Sequence, residues 1–250
     1  MRVVLISRYP RVDTPGWKRR VAEELRDAGA DVHVLYSKSH LVDQARAGLR
    51  EEGFGVFKRY VSLRGGGDVA AQPKQSLADW AAEQGMGVHR FRKLGQPDTL
   101  ERLRELAPDL LILVGADIVP ASVLAIPKIG TINPHYGMLP AYRGMNVTEW
   151  SVLHGQPVGV TVHMVDPGID TGDIILREEI PISPGETWET LRAKHQDVAA
   201  RLLPRAALAL RDGTAERTPQ HPHEGRQYYR MHPALRHIAE AKLAGAPSTH

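Results

Sequence analysis

Two short segments of this 250-residue chain carry residues whose types and spacing could do chemistry. The first is TINPHYGMLPAYRG at 131–144, where an apolar run delivers Asn133 and His135 into a loop punctuated by Pro and Gly. Alternating around Pro134, the pair points one way in an extended strand. The second is DPGIDTG at 166–172, a glycine-bracketed loop that supplies carboxylates just after another apolar run. An amide, an imidazole and a carboxylate gathered at one sheet edge could pass an acyl group straight to an amine. The tetrahedral intermediate needs oxyanion donors, which an Asn amide and a His provide. The attacking amine must lose a proton and the leaving nitrogen must gain one, and a His–Asp pair can move both, directly or through an ordered water. A covalent route lacks its nucleophile, since the chain has neither a cysteine nor a G-x-S-x-G elbow. An isolated Asn-x-His is more often structural than catalytic, and it is the Asp loop that tips the reading.

These residues need a sheet to hold them. Residues 2–7 (RVVLIS) form a β-branched run typical of a buried parallel strand. Trp17, Val21 and Leu25 follow at helical spacing over 16–28, and DVHVLY at 31–36 reads as the next strand. That βαβ opening predicts an α/β fold with a mostly parallel central sheet flanked by helices. Helical pattern returns around Leu77 and Trp80 and again at 100–106, and LLILV at 110–114 should be the central strand. Residues 129–132 then lead into the first segment, in line with the rule that ligands sit beyond the carboxyl ends of parallel strands. A short helix is expected at 146–153 and a strand at 159–165. A second strand at 174–182 should be antiparallel to it, because the connection is short. A long helix over 186–210 should be kinked or split at Pro204. The tail 212–227 reads as polar and irregular, and a final helix is expected at 234–243.

Composition narrows the class. The chain is 42% hydrophobic and 24% charged, enough to bury a real core. Its formal charge is +3 and its pI about 9.2, with basic and acidic residues interspersed, which suits an anionic ligand better than nucleic acid. A signal-like apolar run is interrupted by Arg8 and no segment reaches membrane-spanning length, so a cytoplasmic protein without nucleic-acid or membrane partners is expected. His221, His223 and His232 crowd the tail without a carboxylate framework, so no metal is expected. His163 reads as a packed or hydrogen-bonded core histidine and His154 as a helix-end cap. Asp166 and Asp173 read as turn formers, Arg143 as a loop support, and Trp17, Trp80, Trp150 and Trp188 as core. The N-terminal third also suits a nucleotide-sugar glycosyltransferase, but no G-x-G-x-x-G follows the first strand.

Taken together, N-P-H-x-x-x-L-P-x-Y-R-G, W-x-x-x-x-G and G-V-T-V-H-x-V-D-x-G-x-D-T-G resemble the formyltransferase family in order and spacing, from about residue 108 to 211. The resemblance implies a modified Rossmann-type formyltransferase fold with 10-formyltetrahydrofolate as donor. It implies that Asn133 binds the formyl oxygen, that His135 stabilises the intermediate and assists the departing nitrogen, and that Asp170 orients His135 and takes the amine proton. It places the pterin against Gly115, Ala116, Asp117 and Ile118, and against Val165, Asp166 and Gly168. Leu139 lies in the turn that shapes the site beside the formyl group. It divides the chain into a catalytic domain at 1–211, with an acceptor-side half at 1–107 and a folate-side half at 108–211, and a C-terminal extension at 212–250.

The chain departs from some members. Where the glycinamide ribonucleotide enzyme has a glycine- and serine-rich loop, this chain reads SRYPRVDTPG, and its tail is short for the RNA-contacting barrel of methionyl-tRNA formyltransferase. A small-molecule amine is therefore the expected acceptor, an amino sugar or a specialised-metabolite amine. Arg8 and Arg11, with Lys18, would meet an anionic group on it, and the loops at 8–16 and 37–45 would read it. Alternatives are a formyltetrahydrofolate hydrolase or a non-catalytic folate-binding protein. Leu235, Ile238 and Leu243 on the last helix serve a homodimer or dock on the core.

Overall fold

The computed structural model describes residues 1–7, 16–37, 76–116 and 118–245. Arg8, Arg11 and Asp117 lie outside the described residues, as does most of each loop expected to read the acceptor. The first strand, β1 (Arg2–Ser7), leads through α1 (Trp17–Asp27) to β2 (Asp31–Ser37), with α2 (Leu77–Glu83) and β3 (Gly87–Phe91) next. The chain then runs through α3 (Pro97–Leu106), β4 (Leu110–Leu113) and the one-turn α4 (Ala121–Leu124) into β5 (Gly130–His135). After β6 (Tyr142–Gly144) and α5 (Val147–His154) come β7 (Val158–Met164) and β8 (Ile174–Ile180). The long α6 (Trp188–Arg211), a short 3₁₀ turn at Pro222–Glu224, β9 (Arg226–Tyr228) and α7 (Pro233–Ala244) complete the described chain.

Seven strands form one sheet in the order β3-β2-β1-β4-β5-β7-β8, parallel except where β7 reverses against β5 and β8. The strand β4 is therefore central, as its all-apolar sequence requires. Alternation along β1 sends Val3 and Leu5 into one core and Val4 and Ile6 into the other, all four fully buried. Helices α1 and α6 cover the first face, while α3 and α4 cover the second. Strand order reverses between β1 and β4, so a crevice opens at their carboxyl ends.

Three expectations change. Helix α6 is continuous through Pro204. A buried proline at mid-helix costs about 3 kcal/mol, yet Ala199, Ala200, Leu203, Ala206 and Ala207 are fully buried along the same face and hold the turns together. The segment after α6 is not irregular: β9 pairs in parallel with β6, and Thr218 exchanges two backbone hydrogen bonds with Ile174. The edge strand β3 escapes sequence reading because its polar residues, His89 and Arg90, follow no clear alternation. On α7, Leu243 is fully buried and Leu235 packs against the main core, while Ile238 is exposed.

Candidate active site

Strand β5 overruns its neighbour β4. The ladder between them ends at Ile112–Ile132, so Asn133, Pro134 and His135 project beyond it with only β7 alongside. Pro134 is tolerated there because its missing N–H faces no strand on the β4 side. In the antiparallel β5–β7 register, Asn133 opposes His163 and His135 opposes Thr161. All four side chains thus share one face. Thr161 fixes the loop after β5, donating its hydroxyl to the Gly137 carbonyl at 2.7 Å and accepting the Leu139 N–H at 3.2 Å.

The Asp loop closes over this face. Asp170 sits at φ 54°, a left-handed conformation rare outside glycine. Its Oδ2 accepts the Gly144 N–H at 2.8 Å and lies 3.3 Å from His135 Nδ1. Its Oδ1 lies 3.5 Å from His163 Nε2. The structure therefore brings Asn133, His135 and Asp170 together, with His163 between Asn133 and Asp170.

Hydrogen-bond bookkeeping assigns the protons. His163 Nδ1 is 2.7 Å from the Met164 carbonyl, which can only accept, so Nδ1 carries hydrogen. Burial, with His135 close by, pushes the His163 imidazole down to about 4, so it is neutral. Its Nε2 is then a lone pair that accepts from Asn133 Nδ2 at 3.2 Å. That contact fixes the Asn133 amide and leaves its second N–H to a ligand. His135 differs. Its Nε2 faces the Tyr142 carbonyl at 2.8 Å and its Nδ1 faces the Asp170 carboxylate, so only a doubly protonated ring satisfies both. The second hydrogen bond on each partner lets a buried pair persist. Asp170 Oδ1, the oxygen not engaged by Gly144 or His135, is the one positioned to accept a proton.

A cavity of about 330 Å³ adjoins Asn133 and His135, walled by Tyr136, Asn146, Glu149, Trp188, Arg192 and His195. Burial raises the Tyr136 hydroxyl well above the usual phenol range and lowers the His195 imidazole, so both are neutral there. Trp188, read as core from sequence, lines this cavity, and its Nε1 is buried without a hydrogen-bond partner among the described residues. His163 was legible only as a core residue. The alternating GVTVHMV pattern that puts Thr161 and His163 on one face was the available signal.

The other expected ligand contacts divide. Gly115 and Ile118 are exposed in the loop after β4, Ile118 at 81%, and Ala116 is half-buried. Lys18 is buried at the crevice, its Nζ 3.1 Å from Ser7 Oγ. Leu139 is 1% exposed, its N–H binds Thr161 and its carbonyl accepts from Arg177, so it backs the loop. Asp166 is spent internally, with Oδ1 accepting from Gly168 N–H and the Thr171 hydroxyl. Val165 gives its N–H to the Thr131 carbonyl. His154 ends α5 and meets the Tyr142 hydroxyl at 3.0 Å instead of capping the helix. Arg143 is structural, donating from Nε and Nη2 to Gln220 and from Nη2 to the His221 carbonyl. No group of three or more His, Asp or Glu that could hold a metal ion occurs among the described residues. No described helix is long and apolar enough to cross a membrane.

A family profile described as formyl transferase matches residues 12–207. Methionyl-tRNA formyltransferase of Ruminiclostridium cellulolyticum is 37% identical over 157 residues, covering 62% of this chain and 49% of the relative. That of Syntrophus aciditrophicus is 41% identical over 126 residues, covering 50% and 40%. The chain thus spans about half the length of the curated relatives it matches. Among solved structures, a Helicobacter canadensis N-formyltransferase, solved with folinic acid and dTDP-3-aminofucose, superposes with a TM-score of 0.64 at 17% identity, covering 97% of this chain and 80% of that one. Glycinamide ribonucleotide transformylase 1 of Symbiobacterium toebii gives 0.61 at 19% identity, covering 88% and 94%. These two likenesses establish the fold.

Proposed function

Because the chain belongs to the formyl transferase family, we propose that it moves a formyl group from 10-formyltetrahydrofolate to the amine of a small-molecule acceptor by direct attack. The observation that carries this reading is the convergence of Asn133, His135 and Asp170 on a strand end that overruns its neighbour. Asn133 offers its uncommitted N–H to the formyl oxygen as charge develops there. His135, with Nε2 held by the Tyr142 carbonyl and Nδ1 by Asp170, stabilises that oxygen electrostatically, and the proton that Asp170 takes from the amine passes to the departing nitrogen, directly or through a water. Asp170 orients His135 through Oδ2 and turns Oδ1 to the attacking amine as general base. Exposed Ile118 and half-buried Ala116 follow β4 at the crevice, and half-buried Val165 packs against the same core as Ala116, so apolar groups suited to a flat aromatic donor are present there. The cavity walled by Trp188, Tyr136 and Arg192 lies beside the amide and imidazole, and we assign it to the acceptor.

The acceptor has two candidate sources. A small amine suits a cavity of this size. The amine of an aminoacyl-tRNA is the second reading, favoured by the 37% identity to methionyl-tRNA formyltransferase. One experiment separates these: incubate the protein with 10-formyltetrahydrofolate alone, with nucleotide-linked amino sugars, or with methionyl-tRNA, and follow tetrahydrofolate release. Release with amino sugars alone supports the proposal. Release only with the charged tRNA overturns the small acceptor, and release without any amine means hydrolysis. Arg8 and Arg11 remain proposed contacts to an anionic group on the acceptor. Arg8→Glu or Arg11→Glu should raise the acceptor's KM at least tenfold, and an unchanged KM refutes that role.

A further inference from the structure

Gln220 lies in the segment after α6, 50 residues from the Asp loop in sequence, yet its side chain binds that loop directly. Its Nε2 donates to the Asp170 carbonyl at 3.1 Å and to the Gly172 carbonyl at 2.6 Å. Its Oε1 accepts from Arg143 Nε and Nη2, both at 3.2 Å. An Arg can only donate and a carbonyl can only accept, so this amide has one permitted orientation. Arg143 is 6% exposed and directly precedes Gly144, whose N–H holds the Asp170 carboxylate. The contacts therefore close a ring: Gln220 grips the backbone of Asp170, Arg143 grips Gln220, and Gly144 grips the Asp170 side chain. Both loops hang from one amide.

Two further contacts hold Gln220 in place. Thr218 and Ile174 exchange backbone hydrogen bonds, and β9 pairs with β6 across Gly144, whose Cα sits so close that an added Cβ would fall 2.2 Å from the Tyr228 carbonyl. Asp170 needs this support because its left-handed backbone is one that a non-glycine residue leaves readily, at a cost of about 1 kcal/mol or more to hold.

We infer that Gln220 is a positioning residue for formyl transfer, locking Asp170 in register with His135 through the Arg143 loop. This rests on the role of Asp170 proposed above. The informative variant is Gln220→Glu, which keeps the shape and the acceptor for Arg143 but turns a carboxylate oxygen toward two carbonyls. Hydrogen–deuterium exchange at the Gly144 amide reports the Asp170 contact independently of turnover, with the central-strand amides of Leu111 and Ile112 as the folding control. The expected result is at least tenfold faster exchange at Gly144 with unchanged control amides. With it, kcat should fall at least tenfold while KM for the formyl donor stays within about twofold. Arg143→Lys, which loses the forked contact, should move both readouts the same way by less, and serves if Gln220→Glu fails to fold. Unchanged Gly144 exchange overturns the inference, and so does faster exchange with kcat intact. If the unmodified protein turns over no acceptor, the functional reading fails, while the exchange measurement still decides whether Gln220 positions Asp170.

Discussion

Asp170 carries the most tasks per atom. One carboxylate oxygen is committed to Gly144 and His135, and the other stands free near His163. Asp170→Asn should therefore keep the loop while replacing the base and the imidazolium's counter-charge with a neutral amide. We expect kcat to fall by roughly 10²–10⁴-fold, with donor affinity, measured by fluorescence titration, within a few-fold of the unmodified protein. Near-normal turnover in that variant would refute the role. Asn133, His135 and the Asp loop were legible in the sequence because strand alternation and loop punctuation are local signals, while Asp170 was singled out within that loop only by the family resemblance. His163 was legible as a residue but not as a member of the cluster, since only the β5–β7 register sets it opposite Asn133. Gln220 was illegible, because nothing local distinguishes it from any other polar residue of a loop.

Between elements, the question is what keeps two loops facing each other, and glycine substitutions probe it. Gly155 closes α5 at φ 68° with open space where a Cβ would go. Gly155→Ala should thus cost only the left-handed backbone penalty, about 1–2 kcal/mol, and leave kcat unchanged. Gly144 has φ 95° and a Cβ there would collide with the Tyr228 carbonyl. Gly144→Ala should force β9 away from β6, lower stability beyond the Gly155 variant in urea denaturation, and depress kcat because the donor to Asp170 moves. Equal stability losses in the two variants would show that the β6–β9 contact bears no load. Strands β1, β2, β4, β5, β7 and β8 were readable from apolar runs, whereas β6 and β9 were not. Each is three residues long, and each exists only because the other, distant in sequence, lies against it. The unbroken α6 shows the same limit, for the cost of Pro204 is local and the packing that offsets it is not.

For the whole molecule, the active site imposes a cost in acid. His163 is 2% exposed and its imidazole is pushed down to about 4 by burial and by neighbouring His135. His195 is shifted the same way by burial. Above the unfolded histidine value near 6.5, neither folded nor unfolded chain protonates these rings, and their contribution to stability is constant. Between 6.5 and about 4 the unfolded chain takes up protons that the folded chain refuses, so stability falls as pH falls. For His163 alone the loss approaches roughly 3 kcal/mol at the bottom of that window. Only at and below about 4 does the folded ring itself take up a proton, and that protonation removes the lone pair that accepts from Asn133. His163→Gln, which cannot titrate, should flatten the plot of unfolding free energy against pH between 6.5 and 4, most visibly near the acid end, with His195 supplying the residual slope. A variant whose slope matches that of the unmodified protein would show that the acid sensitivity lies elsewhere and that His163 is not held neutral in the fold.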